Sequence, residues 1–350
     1  MTATPGAITW PDLLTLLVDG VDLSAPQAEW AIDQVLSGRA NTSQVAGLAV
    51  GLRAKGETVE ELGGMAEAML SHAAPLELDR ESVDIVGTGG DRANTVNVST
   101  MSAIVAAAAG ARVVKHGNRA ASSMCGTADC FEALGVRIDL PAEKQQRVLE
   151  QAGLVFLFAP IYHGSLRHAA GPRKELGIRT AFNYLGPLTN PARPTAQAIG
   201  VADERVAGLM AGVLAARGSR GLVFHGGDGL DELTTTTTSS VWMIGDGRVV
   251  RTELDPRDLG LEPAQPADLV GGDPAHNAGV VREVLAGQPG PVRDIVRANA
   301  AAALLAWRGL DLDAPLPTQM GASLEDVTRA IDSGAAAQKL DTLVRATQAA

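Results

Sequence analysis

The sequence predicts an α/β protein: a small N-terminal α-helical domain, then a large α/β domain with a mostly parallel central sheet flanked by helices. Two observations set the class. Before Pro75 apolar residues recur at helical spacing, and from Val83 onward short apolar runs alternate with helical segments. A third sets the boundary, because the first glycine-rich turn follows the first apolar run, at Gly87, Gly89 and Gly90. The expected division is 1–75 for the small helical domain, completed by helices around 166–190, and 80–350 for the large domain.

In chain order, the first helix carries Leu13, Leu14, Leu16 and Leu17 after Trp10-Pro11 and stops at Gly20. The second opens at the capping-box spacing Ser24…Gln27, carries Trp30, Ile32, Val35 and Leu36, and stops at Gly38. Val45, Leu48, Ala49 and Leu52 follow Asn41-Thr42 in a third, and Thr58…Glu61 opens a fourth with Leu62, Met65, Ala66 and Met69. Strands are expected at Val83 to Val86, Arg112 to Lys115, Leu154 to Phe158, Ala196 to Val201 and Gly221 to His225. Val241 to Ile244 and Arg248 to Thr252, around Gly245-Asp246-Gly247, read as a late antiparallel hairpin, and the tail from Asn277 reads as helical. Such sheets bind ligands at the carboxyl ends of their strands, which gathers the loops after Val86, Val114, Phe158 and Phe224 on one rim.

Composition narrows the function classes. A hydrophobic content of 46% and a charged content of 20% describe a soluble globule, and a net charge of −11 argues against a general nucleic-acid or anionic-membrane binder. Cys125 and Cys130 lack zinc spacing and read as buried free thiols in a reducing cytoplasm. Met1 to Trp10 has neither a basic nor an apolar leader region, and no apolar run reaches the roughly 18 residues of a membrane span. A cytoplasmic location is therefore expected.

Three loops carry chemistry. After Val86, the glycine turn leaves backbone amides pointing outward, and an Ala-rich helix expected from Thr100 to Ala109 adds its positive amino end, an arrangement suited to phosphate. Asn97, Ser99 and Thr100 stand just before that helix, either as caps or as groups for phosphate and a hard cation. Lys115-His-Gly-Asn-Arg-Ala-Ala-Ser-Ser123 crowds two cations, an imidazole, an amide and two hydroxyls around one glycine, which suits an oxyanion-rich ligand or a solvated basic loop. After Phe224, Asp231 and Glu232 on a glycine-rich rim before the Thr234 to Thr238 run fit Mg²⁺, although Asp-Glu pairs also decorate solvated surfaces.

Gly87-Thr-Gly-Gly-Asp91, Asn97-Val-Ser-Thr100, Lys115 to Ser123, Arg173-Lys-Glu-Leu-Gly177, Leu185-Gly-Pro-Leu-Thr-Asn-Pro191 and Gly229-Leu-Asp-Glu232 together resemble the anthranilate phosphoribosyltransferases of tryptophan biosynthesis, across nearly the whole chain. The resemblance implies a nucleoside phosphorylase/phosphoribosyltransferase-like fold. The implied enzyme is a Mg-dependent pentosyltransferase that moves phosphoribose from 5-phosphoribosyl 1-diphosphate to the amine of anthranilate, with two Mg²⁺ per subunit in a homodimer.

Carried over, the diphosphate substrate falls to Gly87, Gly90, Asp91, Thr95, Asn97, Val98, Ser99 and Thr100, then to Lys115, His116, Gly117, Asn118, Arg119, Ala120, Ala121, Ser122, Ser123 and Thr127. Anthranilate falls to Gly87, Asn118 and Arg173, with His163 and Tyr184 along the entry route. One Mg²⁺ falls to Ser99 and Glu232 and a second to Asp231 and Glu232. Gly164-Ser165-Leu166 replaces the family's Pro-Ala-Met, and Gly171-Pro172 its Pro-Val, so the acceptor pocket departs from the pattern there.

No general acid or base is required, since the aniline nitrogen is neutral at pH 7; His116 is a candidate for orientation. Two other classes compete. A pyrimidine nucleoside phosphorylase would work without Mg²⁺, and a non-catalytic nucleic-acid binder is opposed by the net charge.

Overall fold

The computed structural model describes residues 8–120 and 123–350, and its first helices begin where a side chain is available to close the opening turn. α1 (Trp10–Val18) is capped by Thr9, whose side chain accepts the Asp12 N–H. α2 (Ala25–Leu36) opens with the Ser24 N–H on Gln27 Oε1 at 2.9 Å. α3 (Thr42–Lys55) has the reciprocal pair between Asn41 and Gln44, both at 2.9 Å. α4 (Val59–Ser71) has the same pair between Thr58 and Glu61, at 2.8 and 3.2 Å. The capping pairs at Ser24 and Gln27 and at Thr58 and Glu61 fall where the sequence predicted them.

Glu61 does more than cap. It is fully buried, and it also accepts the Leu23 N–H at 2.8 Å and the Lys55 ammonium at 3.0 Å. The entrance to α2, the end of α3 and the start of α4 thus share one carboxylate. At Gly64 a Cβ would lie 2.2 Å from the Ala25 carbonyl oxygen, so only glycine lets α4 cross the amino end of α2 so closely.

The chain continues through β1 (Val83–Gly87), α5 (Val98–Ala108), β2 (Val113–Gly117), α6 (Thr127–Ala133), α7 (Ala142–Ala152), β3 (Leu154–Phe158), the single turn α8 (Ala159–Tyr162) and α9 (Arg167–Leu176). Then come β4 (Ala196–Gly200), α10 (Glu204–Ala216), β5 (Arg220–Gly226), β6 (Ser239–Gly245), β7 (Arg248–Leu254), α11 (Pro274–Leu285), α12 (Pro291–Arg308), α13 (Leu316–Asp332) and α14 (Ala335–Gln348). One compact unit runs up to Ala74 and takes in Tyr162–Thr189; within it α9 packs on α2 and α3. The other comprises Pro75–Ile161 and Asn190–Ala350.

The second unit is built on a seven-stranded sheet of order β3-β2-β1-β4-β5-β6-β7. β1 to β5 are parallel and β6 and β7 antiparallel, as the alternation and the late hairpin predicted. Asp246 and Gly247 both take positive φ, the turn that matches hairpin twist. α12 crosses β1, β4 and β5 and packs against α5, while α10 covers β5 and β6. The parallel strands are mostly apolar, as burial on both faces requires; Asp84, Lys115, His116 and Gln197 are buried polar side chains among them.

One expectation is corrected. α5 begins at Val98 rather than Thr100, so Ser99 and Thr100 lie in its first turn and not ahead of it. Asn97 occupies the cap position without making a side-chain cap, because its amide is spent on the Cys125 carbonyl and on Asn277. The carboxylate of Glu232, from far along the chain, lies near the Ser99 N–H at this end of the helix.

Replacing Glu61 by Ala strands the buried Leu23 N–H and removes the buried partner of the Lys55 ammonium, leaving it Asp22 and the Gly56 carbonyl. We expect Glu61→Ala to lose about 3 kcal/mol or more in urea unfolding. An unchanged midpoint would mean that the shared carboxylate contributes no net stability.

Candidate functional site

Where β1 and β4 end side by side, both stop in glycine, and the reason is one residue lying across them. A Cβ on Gly87 would sit 2.0 Å from Asp231 Oδ2, and one on Gly200 would sit 1.7 Å from the Asp231 carbonyl oxygen. Asp231 is thereby seated on the carboxyl ends of two neighbouring strands, at the point where the strand order reverses direction. Its carboxylate accepts the Gly89 N–H at 2.7 Å, which fixes the glycine turn. Thr88 is held as well, its N–H on the Gly200 carbonyl at 3.0 Å and its Oγ1 accepting the Ala202 N–H at 3.2 Å.

The sequence-predicted metal residues come together here. Glu232 reaches the amino end of α5, and Ser99 Oγ receives the Lys115 ammonium at 3.1 Å. Burial and the charge of Asp91 push the Asp231 carboxyl up to about 7; burial and Asp231 push that of Glu232 well above the usual range. Like charges so placed are unfavourable without a cation among them. Among the described residues no group of three or more His, Cys, Asp and Glu could enclose a metal. Two carboxylates and a hydroxyl suit Mg²⁺, which is held by few protein oxygens and completes its shell with water and phosphate.

Lys115 is fully buried, and besides Ser99 it donates to the Ile85 carbonyl. Burial lowers its pKa, against the opposing charges of Asp84, Glu232 and Asp231. Beside it lies a pair to which the sequence analysis gave no role. Asp84, fully buried in β1, accepts the His116 N–H at 3.1 Å and the Asn190 amide at 2.8 Å, and Asn190 donates also to the Val114 carbonyl at 2.7 Å. Burial raises the Asp84 carboxyl to about 6, opposed first by Lys115. The signal for Asp84 is a carboxylate inside the apolar run Val83-Asp-Ile-Val86.

The remaining predicted residues divide. Gly90 takes positive φ in the turn, Asp91 is half-buried and accepts the Ala93 N–H, and Arg92 and Asn94 take positive φ as well. Thr95 bridges to Val270, Val98 is buried at the start of α5, and the Thr100 hydroxyl is buried without a protein hydrogen bond. His116 is buried, and Gly117 lies against Phe156 and Thr127, where a Cβ would meet Phe156 at 2.9 Å.

The following loop is drawn toward α6. Asp129 accepts the N–H groups of Ala120 and Gly126 at 3.1 and 2.9 Å and the Arg119 guanidinium at 2.8 Å. Arg119 is paired with Glu132 as well and lies 5.4 Å from the Phe158 ring centre, so its donors are engaged by the protein rather than presented to an anion. Asn118 is exposed and accepts the Arg119 N–H, and Ser123 donates to the Cys125 carbonyl. Ala121 and Ser122 lie outside the described residues. Cys125 and Cys130 are buried free thiols, as the sequence suggested.

Arg173 belongs to the helical unit, on α9, with its guanidinium 5.6 Å from the Phe182 ring centre. Burial lowers its pKa. His163 is buried, its Nε2 2.8 Å from the Thr189 carbonyl oxygen, and Tyr184 is buried in the same unit.

The family models that match are the glycosyl transferase family α/β domain over residues 79–337 and the glycosyl transferase family helical bundle domain over residues 11–73. The anthranilate phosphoribosyltransferase of Arthrobacter sp. (strain FB24) is 57% identical over 97% of this chain and 96% of its own length. That of Thermobifida fusca is 56% identical over 97% of each. Among solved structures, the enzyme of that name from Thermus thermophilus superposes with a TM-score of 0.89 at 38% identity, covering 96% of this chain and 99% of the other. The Saccharomyces cerevisiae enzyme in complex with PRPP and Mg superposes with a TM-score of 0.86 at 27% identity, covering 97% and 98%.

A methyl group at position 87 has no room beside Asp231 Oδ2. We expect Gly87→Ala to displace the carboxylate and speed hydrogen exchange at the Gly89 amide. Wild-type exchange there would mean that the turn stands without Asp231.

Proposed function

The chain belongs to the anthranilate phosphoribosyltransferase family, and from that premise we propose how its own residues share the reaction. It transfers the phosphoribosyl group of 5-phosphoribosyl 1-diphosphate to the amine of anthranilate, giving N-(5-phosphoribosyl)anthranilate and diphosphate in tryptophan biosynthesis. The observation that carries the assignment of roles is the seating of Asp231 and Glu232 against an amide-lined glycine turn and the amino end of α5.

The diphosphate substrate lies on the turn from Gly87 to Asp91 and on the first turn of α5, where backbone N–H groups and the helix dipole favour anions. Thr95, Asn97, Val98, Ser99 and Thr100 continue this surface, and Lys115 to Ser123 with Thr127 covers the phosphoribosyl group. The ties of Arg119 to Asp129 and Glu132 assign that side chain to loop structure, with its main chain left to line the ligand.

Ser99 with Glu232, and Asp231 with Glu232, would hold two Mg²⁺ per subunit, in keeping with the Mg bound in the Saccharomyces cerevisiae relative. Bound there, the metal neutralises charge on the departing diphosphate. Lys115 adds positive potential from below the turn, and Asp231 keeps the Gly89 amide aimed. The nucleophile is an aniline nitrogen that is already unprotonated, so no side chain has to remove a proton before attack. Positioning and leaving-group stabilisation supply the rate.

Arg173 grips the anthranilate carboxylate, since a guanidinium matches it with paired hydrogen bonds, and Gly87 and Asn118 complete that subsite. Arg173 belongs to the helical unit, 1–75 with the helices around 166–190, and the residues assigned to the diphosphate substrate belong to 80–350. We place the enzyme in the cytoplasm; among the described residues no helix is long and apolar enough to cross a membrane. A homodimer, as the family resemblance implies, is the assembly we propose, and sedimentation tests it.

Loss of anthranilate fluorescence, followed with and without 5-phosphoribosyl 1-diphosphate and Mg²⁺, tests the reading as a whole. Asp231→Asn and Glu232→Gln are expected to lower turnover and raise the Mg²⁺ requirement with the fold intact, and wild-type kinetics at low Mg²⁺ would remove the metal assignment. Arg173→Ala is expected to raise KM for anthranilate about ten- to a hundred-fold, the worth of a charge-assisted bidentate contact, and KM for the other substrate far less. Equal shifts for both would assign Arg173 to the fold or to phosphate.

A further inference from the structure

β1 and β2 run beside each other over five residues each, yet they register as a parallel ladder only at Val83 and Val113. Their outer neighbours show no such interruption: β1 pairs with β4 from Val83 to Gly87, and β2 with β3 from Val113 to Gly117. Extending the register by two residues would join the Ile85 N–H to the Val114 carbonyl and the His116 N–H to the Ile85 carbonyl. Three of those four groups are bonded to side chains instead. The Val114 carbonyl takes the Asn190 amide, the His116 N–H takes the Asp84 carboxylate, and the Ile85 carbonyl takes the Lys115 ammonium. Side chains thus fill the place of the ladder on both strands, so the opening is built into the sheet.

The opening sits directly under the reacting groups. Past it, β1 leads into the glycine turn on Asp231 and β2 into Gly117 and the following loop, the two loops assigned to the diphosphate substrate. Lys115 reaches across the gap to the Ile85 carbonyl and aims its ammonium at Ser99 Oγ. We infer that Asp84 and Asn190 are positioning residues that hold β1 and β2 apart, so that Lys115 and the two loops stand at the spacing the diphosphate substrate needs. The inference rests on the functional reading above.

The test is steady-state kinetics of Asp84→Asn and Asn190→Ala in both substrates at saturating Mg²⁺, beside thermal unfolding. Asn at position 84 keeps the shape but opposes its amide to that of Asn190; Ala at 190 leaves the Val114 carbonyl without its donor. Both folded variants should raise KM for 5-phosphoribosyl 1-diphosphate by about ten- to a hundred-fold, the equivalent of one charge-assisted hydrogen bond, and leave KM for anthranilate unchanged. A folded Asp84→Asn enzyme with wild-type constants overturns the inference, and so do equal rises in both constants, which a merely structural role would give.

Should the variants not fold, the wild-type enzyme decides through its isotope-labelled Asn190 side chain. Slow amide exchange is expected if that side chain fills the gap, and exchange at the rate of a solvated amide overturns the assignment. A wild-type enzyme without anthranilate-dependent transfer would instead remove the functional reading, whereas an active wild type beside an unaffected Asp84→Asn removes only this inference.

Discussion

One buried ammonium, that of Lys115, balances the carboxylates at the carboxyl ends of the central strands. Asp84, Asp231 and Glu232 all act on it, and none of the three is fully solvated. Burying a charge is tolerated only where partners and hydrogen bonds replace water, so this arrangement constrains its neighbourhood strongly. β1 and β4 must end in glycine to admit Asp231, and β2 leaves β1 where the ammonium reaches across to the Ile85 carbonyl. The backbone geometry of the site follows from where its charges are placed.

What was legible in the sequence was legible because its cause is local. Ser24 and Gln27, Asn41 and Gln44, and Thr58 and Glu61 each lie three positions apart, and a capping pair needs no more than that to declare itself. The parallel strands were found from short apolar runs, and the late hairpin from a two-residue turn in which both residues accept positive φ. The glycine turn and the Asp231-Glu232 pair were likewise visible as residue types, and they do share one corner of the sheet.

The misreadings and omissions have the opposite origin. α5 starts at Val98, with a carboxylate from residue 232 near its first turn, and nothing near residue 98 announces that neighbour. Arg119 looked like an anion ligand, but Asp129 and Glu132 rise to meet it from α6. Asp84 was visible as an anomaly, while its partner Asn190 looked like one more polar residue in a turn-rich motif. In each case the deciding bond spans the fold, and local propensity carries no record of it.

The shared carboxylate of Glu61 has a bearing on the order in which the helical unit comes together. Its ties to Leu23, Lys55 and Thr58 lie within the first four helices, whose contacts are close in sequence and therefore inexpensive in loop-closure entropy. The rest of the unit, Tyr162–Thr189, leaves the ribosome only after β1, β2 and β3. A nascent chain can thus hold α2, α3 and α4 tied through one carboxylate before α9, which packs on α2 and α3, has been made.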